Sequence, residues 1–220
     1  MRILVVTAVS AERDAILAAG SAAGESIAAG SAAYDVIVGG VGPAASAAAS
    51  AAALAYGGYD LVLSAGIAGG FSSVQVGAIA IASRSVFADL GVEAHGASAE
   101  FVPLPDLGFG TADYVADPRF TTRMAELAGG SIGAILTVAT VTATAARAAQ
   151  SLRRHPDAVA EAMEGAGVAA AASLTGTPFG EVRAISNMVG PRERTAWEVP
   201  AALAALGRAL ASITAAEWDL

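Results

Sequence analysis

Hydrophobic positions along the chain fall into short continuous runs that alternate with longer alanine-rich stretches. The β-branched runs predict strands at residues 2–9, 34–39, 60–65, 78–88, 134–141 and 180–186. Most of these are apolar at every position rather than every second one, the pattern of strands covered by helices on both faces. The alanine-rich stretches predict helices at 11–19, 43–56, 119–128, 145–153, 157–174 and 196–216. Pro43 suits a first helical turn, and Thr195 with Glu198 makes a capping-box pattern at the start of the last helix. The order of elements predicts an α/β sandwich around a mixed sheet. No linker, charge block or repeat divides the chain, which reads as one domain over residues 1–220. Residues 91–117, rich in Gly, Pro and Asp, are the expected excursion from the sheet and a candidate lid on composition.

Composition narrows the chemistry. Over half the chain is apolar, only 15% is charged and about a quarter is alanine, which supports a sizeable core and excludes a disordered chain. There is no cysteine, so disulfides, thiolate metal sites and cysteine nucleophiles are excluded. All twelve basic residues are arginine, and without lysine neither a Walker-A loop nor a Schiff-base mechanism is available. With a net charge of −8 and no basic run longer than Arg153-Arg154, a nucleic-acid partner is not expected. The apolar opening is cut short by Glu12, Arg13 and Asp14, unlike a signal peptide. The alanine run at 44–55 falls short of the roughly 20 residues a bilayer needs. The expectation is a cytoplasmic protein with no membrane partner and no cofactor or metal.

Several residues stand out against this background. Gly40-Val41-Gly42-Pro43-Ala44-Ala45 fits G-x-G-x-x-A between a strand and a helix, but it follows the second strand and reads more readily as a tight turn. A second cluster, Gly66-Ile67-Ala68-Gly69-Gly70, follows the third strand. Two such turns at carboxyl ends of neighbouring strands suggest a small-molecule crevice. Glu12 lies just past the first strand, as a general base or as an acid supporting a helix N-terminus. Glu164 interrupts a helix that is apolar on nearly every face, where a charge must be paired or aimed at a ligand. Asn187 closes the last strand. Arg192 and Arg194 form a basic pair beyond it, in a solvated turn or as a fork for a ligand carboxylate. His155 is expected to be exposed, and His95 lies in the excursion. Neither is paired with a nucleophile.

Taken together, Glu12, the 66–70 cluster, Asp89-Leu90-Gly91, Ala162-Met163-Glu164-Gly165-Ala166 and Ala184-Ile185-Ser186-Asn187-Met188-Val189-Gly190-Pro191-Arg192 resemble a known superfamily. It is the nucleoside phosphorylase/nucleosidase superfamily, in its methylthioadenosine/S-adenosylhomocysteine nucleosidase-like branch. Within that branch the likeness is to the futalosine hydrolase family, and it runs over nearly the whole chain. The resemblance implies a three-layer α/β/α sandwich around a central mixed β-sheet, and hydrolysis of an N-glycosidic bond. It also implies a small-molecule nucleoside substrate and a homo-oligomer.

By the same resemblance, Glu12 would activate water and Glu164 would grip the ribose above Met163. Gly66, Ile67, Ala68, Gly69 and Val141 would line the base pocket, and Asn187 would face the purine. Phe101 could pack on the 5′ substituent of the substrate and Arg192 pair with its carboxylate. Adenosine-cleaving relatives carry Asp at the position of Asn187; an amide can donate to the O6 of a 6-oxopurine, which favours hypoxanthine as leaving base. Phosphorylases of the superfamily place Arg and Ser where this chain has Ser64 and Ile67, so water is expected as nucleophile. The alternatives are a methylthioadenosine/S-adenosylhomocysteine nucleosidase, a purine nucleoside phosphorylase, or an inactive nucleotide-binding module.

Overall fold

The computed structural model describes residues 1–22, 33–93, 101–191 and 197–218. The first part alternates strand and helix: β1 (Arg2–Thr7), α1 (Ser10–Ala22), β2 (Ala33–Val38), α2 (Pro43–Ala55) and β3 (Leu61–Gly70). The middle holds β4 (Ile79–Phe87), β5 (Gly91–Glu93), β6 (Phe101–Pro103), a 3-10 turn (Leu104–Leu107) and β7 (Asp113–Val115). Then come α3 (Pro118–Ala128), β8 (Ser131–Thr137), α4 (Ala145–Arg154) and β9 (Ala158–Ala162). The last described elements are α5 (Gly165–Thr175), β10 (Phe179–Met188) and α6 (Val199–Ala215).

The sheet is mixed, as expected, and it curls onto itself. β1 pairs in parallel with β2 and with the start of β3. β3 then runs on alongside β10 and meets β9 in antiparallel pairing at Gly69 and Gly70. β10 pairs with β4, β4 with β8 and β8 with β9, so five strands close a ring from which β1 and β2 extend. Ala68, Val74, Ala80, Ala82, Ile135, Val159, Ala160, Ala162 and Ile185, mostly from these five strands, form one buried cluster. Small residues dominate there because side chains converge inside so narrow a ring. Helices α1, α3 and α6 pack together over one face of the sheet, and α2 and α5 over another. Among the described residues no helix is long and apolar enough to cross a membrane.

Two expectations need correcting, and both bear on the site. Residues 66–70 are not a turn but the second half of β3. Their glycines serve close packing: a Cβ on Gly70 would lie 2.7 Å from Ile185 Cγ2, and one on Gly66 2.5 Å from Arg183 Nη1. The helix expected over 157–174 is a strand, a turn and a shorter helix. Ala158–Ala162 has the composition of a helix, but it lies between β8 and β3 and its backbone is taken up by both ladders. Glu164 is therefore the residue before α5 and not part of a helix interior. Gly165 follows because any side chain there would collide with the Glu181 carboxylate.

Smaller differences are local. Strand β8 ends at Thr137, and the chain beyond it carries Val141 and Thr142 into the site. Pro43 does open α2. Glu198 is itself the residue before α6 and caps no N–H with its side chain, while Thr195 lies outside the described residues. The described part of 91–117 pairs β5 with β6 and sets β7 against β4. His155 is half-buried at the end of α4, where burial first and then Arg154 lower its pKa.

Candidate active site

One cavity of about 360 Å³ opens where β1, β3, β9 and β10 end or turn. Glu12, Ile67, Ala68, Gly69, Val141, Met163, Glu164 and Asn187, all singled out from sequence, line it together. Gly66 stands behind Glu12. Phe101 does not line the cavity of its own chain; the Arg154 guanidinium lies 4.5 Å from its ring centroid. Arg192 and Arg194, like His95, lie outside the described residues.

Glu12 occupies the third position of α1 and is 3% exposed. Its Oε2 accepts the N–H groups of Ala8 (2.9 Å) and Val9 (3.2 Å), the back-bond of a capping box. Its Oε1 accepts the Ile67 N–H of β3 at 2.9 Å. The helix-supporting and ligand-facing readings of Glu12 thus coincide, since three backbone donors hold the carboxylate at the cavity wall. Gly66 makes that position possible, because a Cβ there would lie 2.5 Å from both Glu12 Oε1 and Arg183 Nη1. Gly66→Ala should lower kcat about tenfold or more and cost stability as well, since the added Cβ displaces both Glu12 and Arg183. Steady-state kinetics beside a circular dichroism spectrum would check it, and unchanged kcat would mean that Glu12 placement is not critical.

Glu164 sits at the β9–α5 turn. Oε1 accepts the Gly42 N–H (3.2 Å), and Oε2 accepts the Met163 N–H (3.3 Å) and pairs with Arg183 Nη1 (3.2 Å). The Gly40–Pro43 stretch is therefore a tight turn whose backbone supports a carboxylate. Gly167, in the first turn of α5, lets α2 approach so closely that a Cβ there would meet Ser46 Oγ at 2.5 Å. The Ser46 hydroxyl donates to the Glu164 carbonyl.

Arg183, which the sequence reading passed over inside an apolar strand, is the hub of the site. It is 1% exposed and pairs through Nε with Glu181 (2.9 Å) as well as with Glu164. Its Nη2 donates to Ser64 Oγ at 2.9 Å. Burial pulls the guanidinium pKa down, but Glu181, Glu164 and Glu12 outweigh it and the net direction is up. Burial pushes the Glu181 carboxyl up against the opposing pull of Arg183.

A β-bulge between Ile185 and Asn187 re-aims the end of β10 and sets Asn187 beside Gly69. Asn187 Oδ1 lies 2.8 Å from Ser186 Oγ, and Nδ2 donates to the Met188 carbonyl at 3.0 Å. Since that carbonyl can only accept, it fixes the NH₂ side of the amide, which keeps a second hydrogen for a ligand. Glu161 and Thr142, also missed from sequence, complete this end of the cavity. Burial raises the Glu161 pKa, while hydrogen bonds from Thr142 oppose the shift. Among the described residues no group of His, Asp or Glu is placed to hold a metal ion.

The model of the phosphorylase superfamily matches residues 3–216. A futalosine hydrolase of Streptomyces coelicolor is 46% identical over 97% of this chain and 95% of its own length. The chain belongs to the phosphorylase superfamily, in its futalosine hydrolase family. A futalosine hydrolase of Acidothermus cellulolyticus is 44% identical over 97% of this chain and 90% of its own. The native structure of the Helicobacter pylori futalosine hydrolase shares the fold, with a TM-score of 0.78 at 18% identity over 97% of each chain. This member of the family has the mixed α/β architecture that the resemblance implied.

Proposed function

We propose that the chain hydrolyses the N-glycosidic bond of futalosine, releasing hypoxanthine and dehypoxanthine futalosine in the futalosine route to menaquinone. The observation that carries hydrolysis over phosphorolysis is the charge of the cavity. Glu12, Glu161 and Glu164 line it, and no arginine does among the described residues. Among the described residues Arg183 pairs with the cavity's Glu164, and its guanidinium is taken by Glu181, Glu164 and Ser64. Such a wall repels a phosphate dianion and favours a cation forming on the sugar.

Cleavage of a ribosyl–purine bond builds an oxocarbenium-like sugar. Glu164, beside Met163, stabilises that charge as it develops, which lowers the barrier rather than merely tightening binding. Glu12 takes the proton of the attacking water. Asn187 donates its free N–H to O6 of the leaving base; an amide, unlike a carboxyl, does not protonate N7, so the base departs with the bonding pair as an anion and takes its proton from water. Val9, Val41, Val141 and Met188 give the rest of the cavity an apolar lining suited to a base and a sugar face.

Incubation with futalosine, methylthioadenosine and inosine, each with and without phosphate, tests the reading through the base released. Hypoxanthine from futalosine, independent of phosphate, is expected; phosphate-dependent turnover or adenine release at comparable efficiency would overturn it. Asn187→Asp should cut the preference for the 6-oxopurine substrate over methylthioadenosine by ~10²-fold, as the N–H donor becomes an acceptor. The ratio of kcat/KM values measures it, and an unchanged ratio removes Asn187 from base recognition.

A further inference from the structure

The cavity wall holds a carboxylate that the roles above leave unused. Glu161 on β9 is 6% exposed and lines the cavity. Thr142 holds it by both oxygens: its N–H donates to Oε1 at 2.8 Å and its hydroxyl to Oε2 at 2.6 Å. A carboxylate offers about four acceptor sites, so each oxygen keeps one after Thr142 is served.

The strand register places Glu161 and Asn187 relative to one another. Glu161 stands opposite Gly69 in the β3–β9 pair, and Asn187 stands opposite Gly69 in the β3–β10 pair. Both side chains line the cavity, so they reach it from the two strands on either side of Gly69. A Cβ on Gly69 would lie 3.0 Å from Val189 Cγ2 and 3.4 Å from Asn187 Nδ2, so the Asn187 amide and Val189 pack over the bare glycine. Glu161 and Asn187 thus flank Gly69 from its two neighbouring strands, with backbones two strand spacings apart, roughly 9–10 Å. The cavity of about 360 Å³ that both side chains line takes a flat ring. One side offers a donor and the other an acceptor.

We infer that Glu161 is a specificity-determining residue: it accepts the N1–H of a 6-oxopurine while Asn187 donates to O6. The inference rests on the nucleosidase reading above. A 6-oxopurine carries a donor at N1 and an acceptor at position 6. A 6-aminopurine reverses both, so its N1 lone pair would face the lone pairs of Glu161 and its amine the hydrogen of Asn187. An N1-methylated 6-oxopurine keeps O6 and loses only the hydrogen that Glu161 reads.

The test compares hypoxanthine, 1-methylhypoxanthine and adenine as competitive inhibitors of futalosine hydrolysis by the wild type and by Glu161→Gln. In the wild type, hypoxanthine should have a Ki lower than the other two by ~10–100-fold, the effect of one buried donor or acceptor left unpaired. Glu161→Gln presents an NH₂ in place of one oxygen. It should raise the hypoxanthine Ki by a similar factor and leave the adenine Ki unchanged or lower. A merely structural role would raise all three Ki values together, and that result overturns the inference. So does equal binding of hypoxanthine and 1-methylhypoxanthine by the wild type, an arm that needs no variant to fold. If the wild type releases no hypoxanthine from futalosine, the substrate reading itself has failed and this inference falls with it. If it releases hypoxanthine yet ignores the methyl group, only the role of Glu161 is lost.

Discussion

Glu12→Gln should lower kcat for futalosine by ~10²–10⁴-fold, the usual worth of a positioned general base. Glutamine has nearly the same shape but cannot take a proton from water. The KM should move by less than about tenfold, because the other residues assigned to base and ribose binding stay in place. A second effect accompanies the first. Both Glu12 oxygens accept backbone N–H groups, from Ala8 and Val9 on one side and Ile67 on the other. An amide must turn its NH₂ toward one of these donors, so the variant should also lose about 1–3 kcal/mol of stability. Burst and steady-state kinetics together with urea unfolding separate the two. A folded variant with wild-type kcat would remove Glu12 from the chemistry and leave it a helix-capping role alone.

The α/β alternation was legible because most buried strands here are continuously apolar and most helices are long. It failed where alanine stands in a strand. Ala158–Ala162 reads as helix by local propensity, and only the two neighbouring ladders, far away in sequence, make it β9. The glycine run at 66–70 misleads in the opposite sense. Glycine usually marks a turn, but here it marks strands and side chains approaching too closely for any Cβ. Closure of the sheet through β3, β10, β4, β8 and β9 rests on pairings between distant segments, which no local pattern encodes.

Among the candidate residues, Glu12, Glu164 and Asn187 were conspicuous because each is a polar group in an apolar setting at an element boundary. They meet in one cavity although 175 positions separate the first from the last. Arg183 and Glu161 are also polar groups among apolar neighbours, but they lie inside strands and not at element boundaries. Their strand interiors gave no hint of which face they point to. Alternation does carry a signal in Glu181-Val182-Arg183: residues two apart in a strand share a face. The pair Glu181 and Arg183 could have been read as a buried ion pair on that basis.

Arg183→Met should destabilise the protein by about 3–5 kcal/mol, the cost of leaving buried carboxylates without their cation. Arg183 is the guanidinium shared by Glu181 and Glu164, and all three are under a tenth exposed. Methionine fills much of the same space, so the loss comes from charge and not from a cavity. The cost should depend on pH with a definite sign. Burial raises the Glu181 pKa in the folded protein. A raised carboxyl contributes stability in full below its unfolded value of about 4.5, and the contribution is lost as pH rises through the folded value. Without Arg183 the folded value rises further. The deficit of Arg183→Met relative to wild type should therefore be smallest in acid and grow toward neutrality and above. Adding Glu181→Gln removes the carboxyl that drives this growth, so the double variant should recover about 1–3 kcal/mol at pH 7 and lose much of the pH slope. Glu164 remains, but it opens onto the cavity and keeps the N–H groups of Gly42 and Met163. Urea unfolding of wild type, both single variants and the double variant between pH 5 and 8 measures the coupling. Additive losses at every pH would mean that Arg183 and Glu181 do not act as a pair.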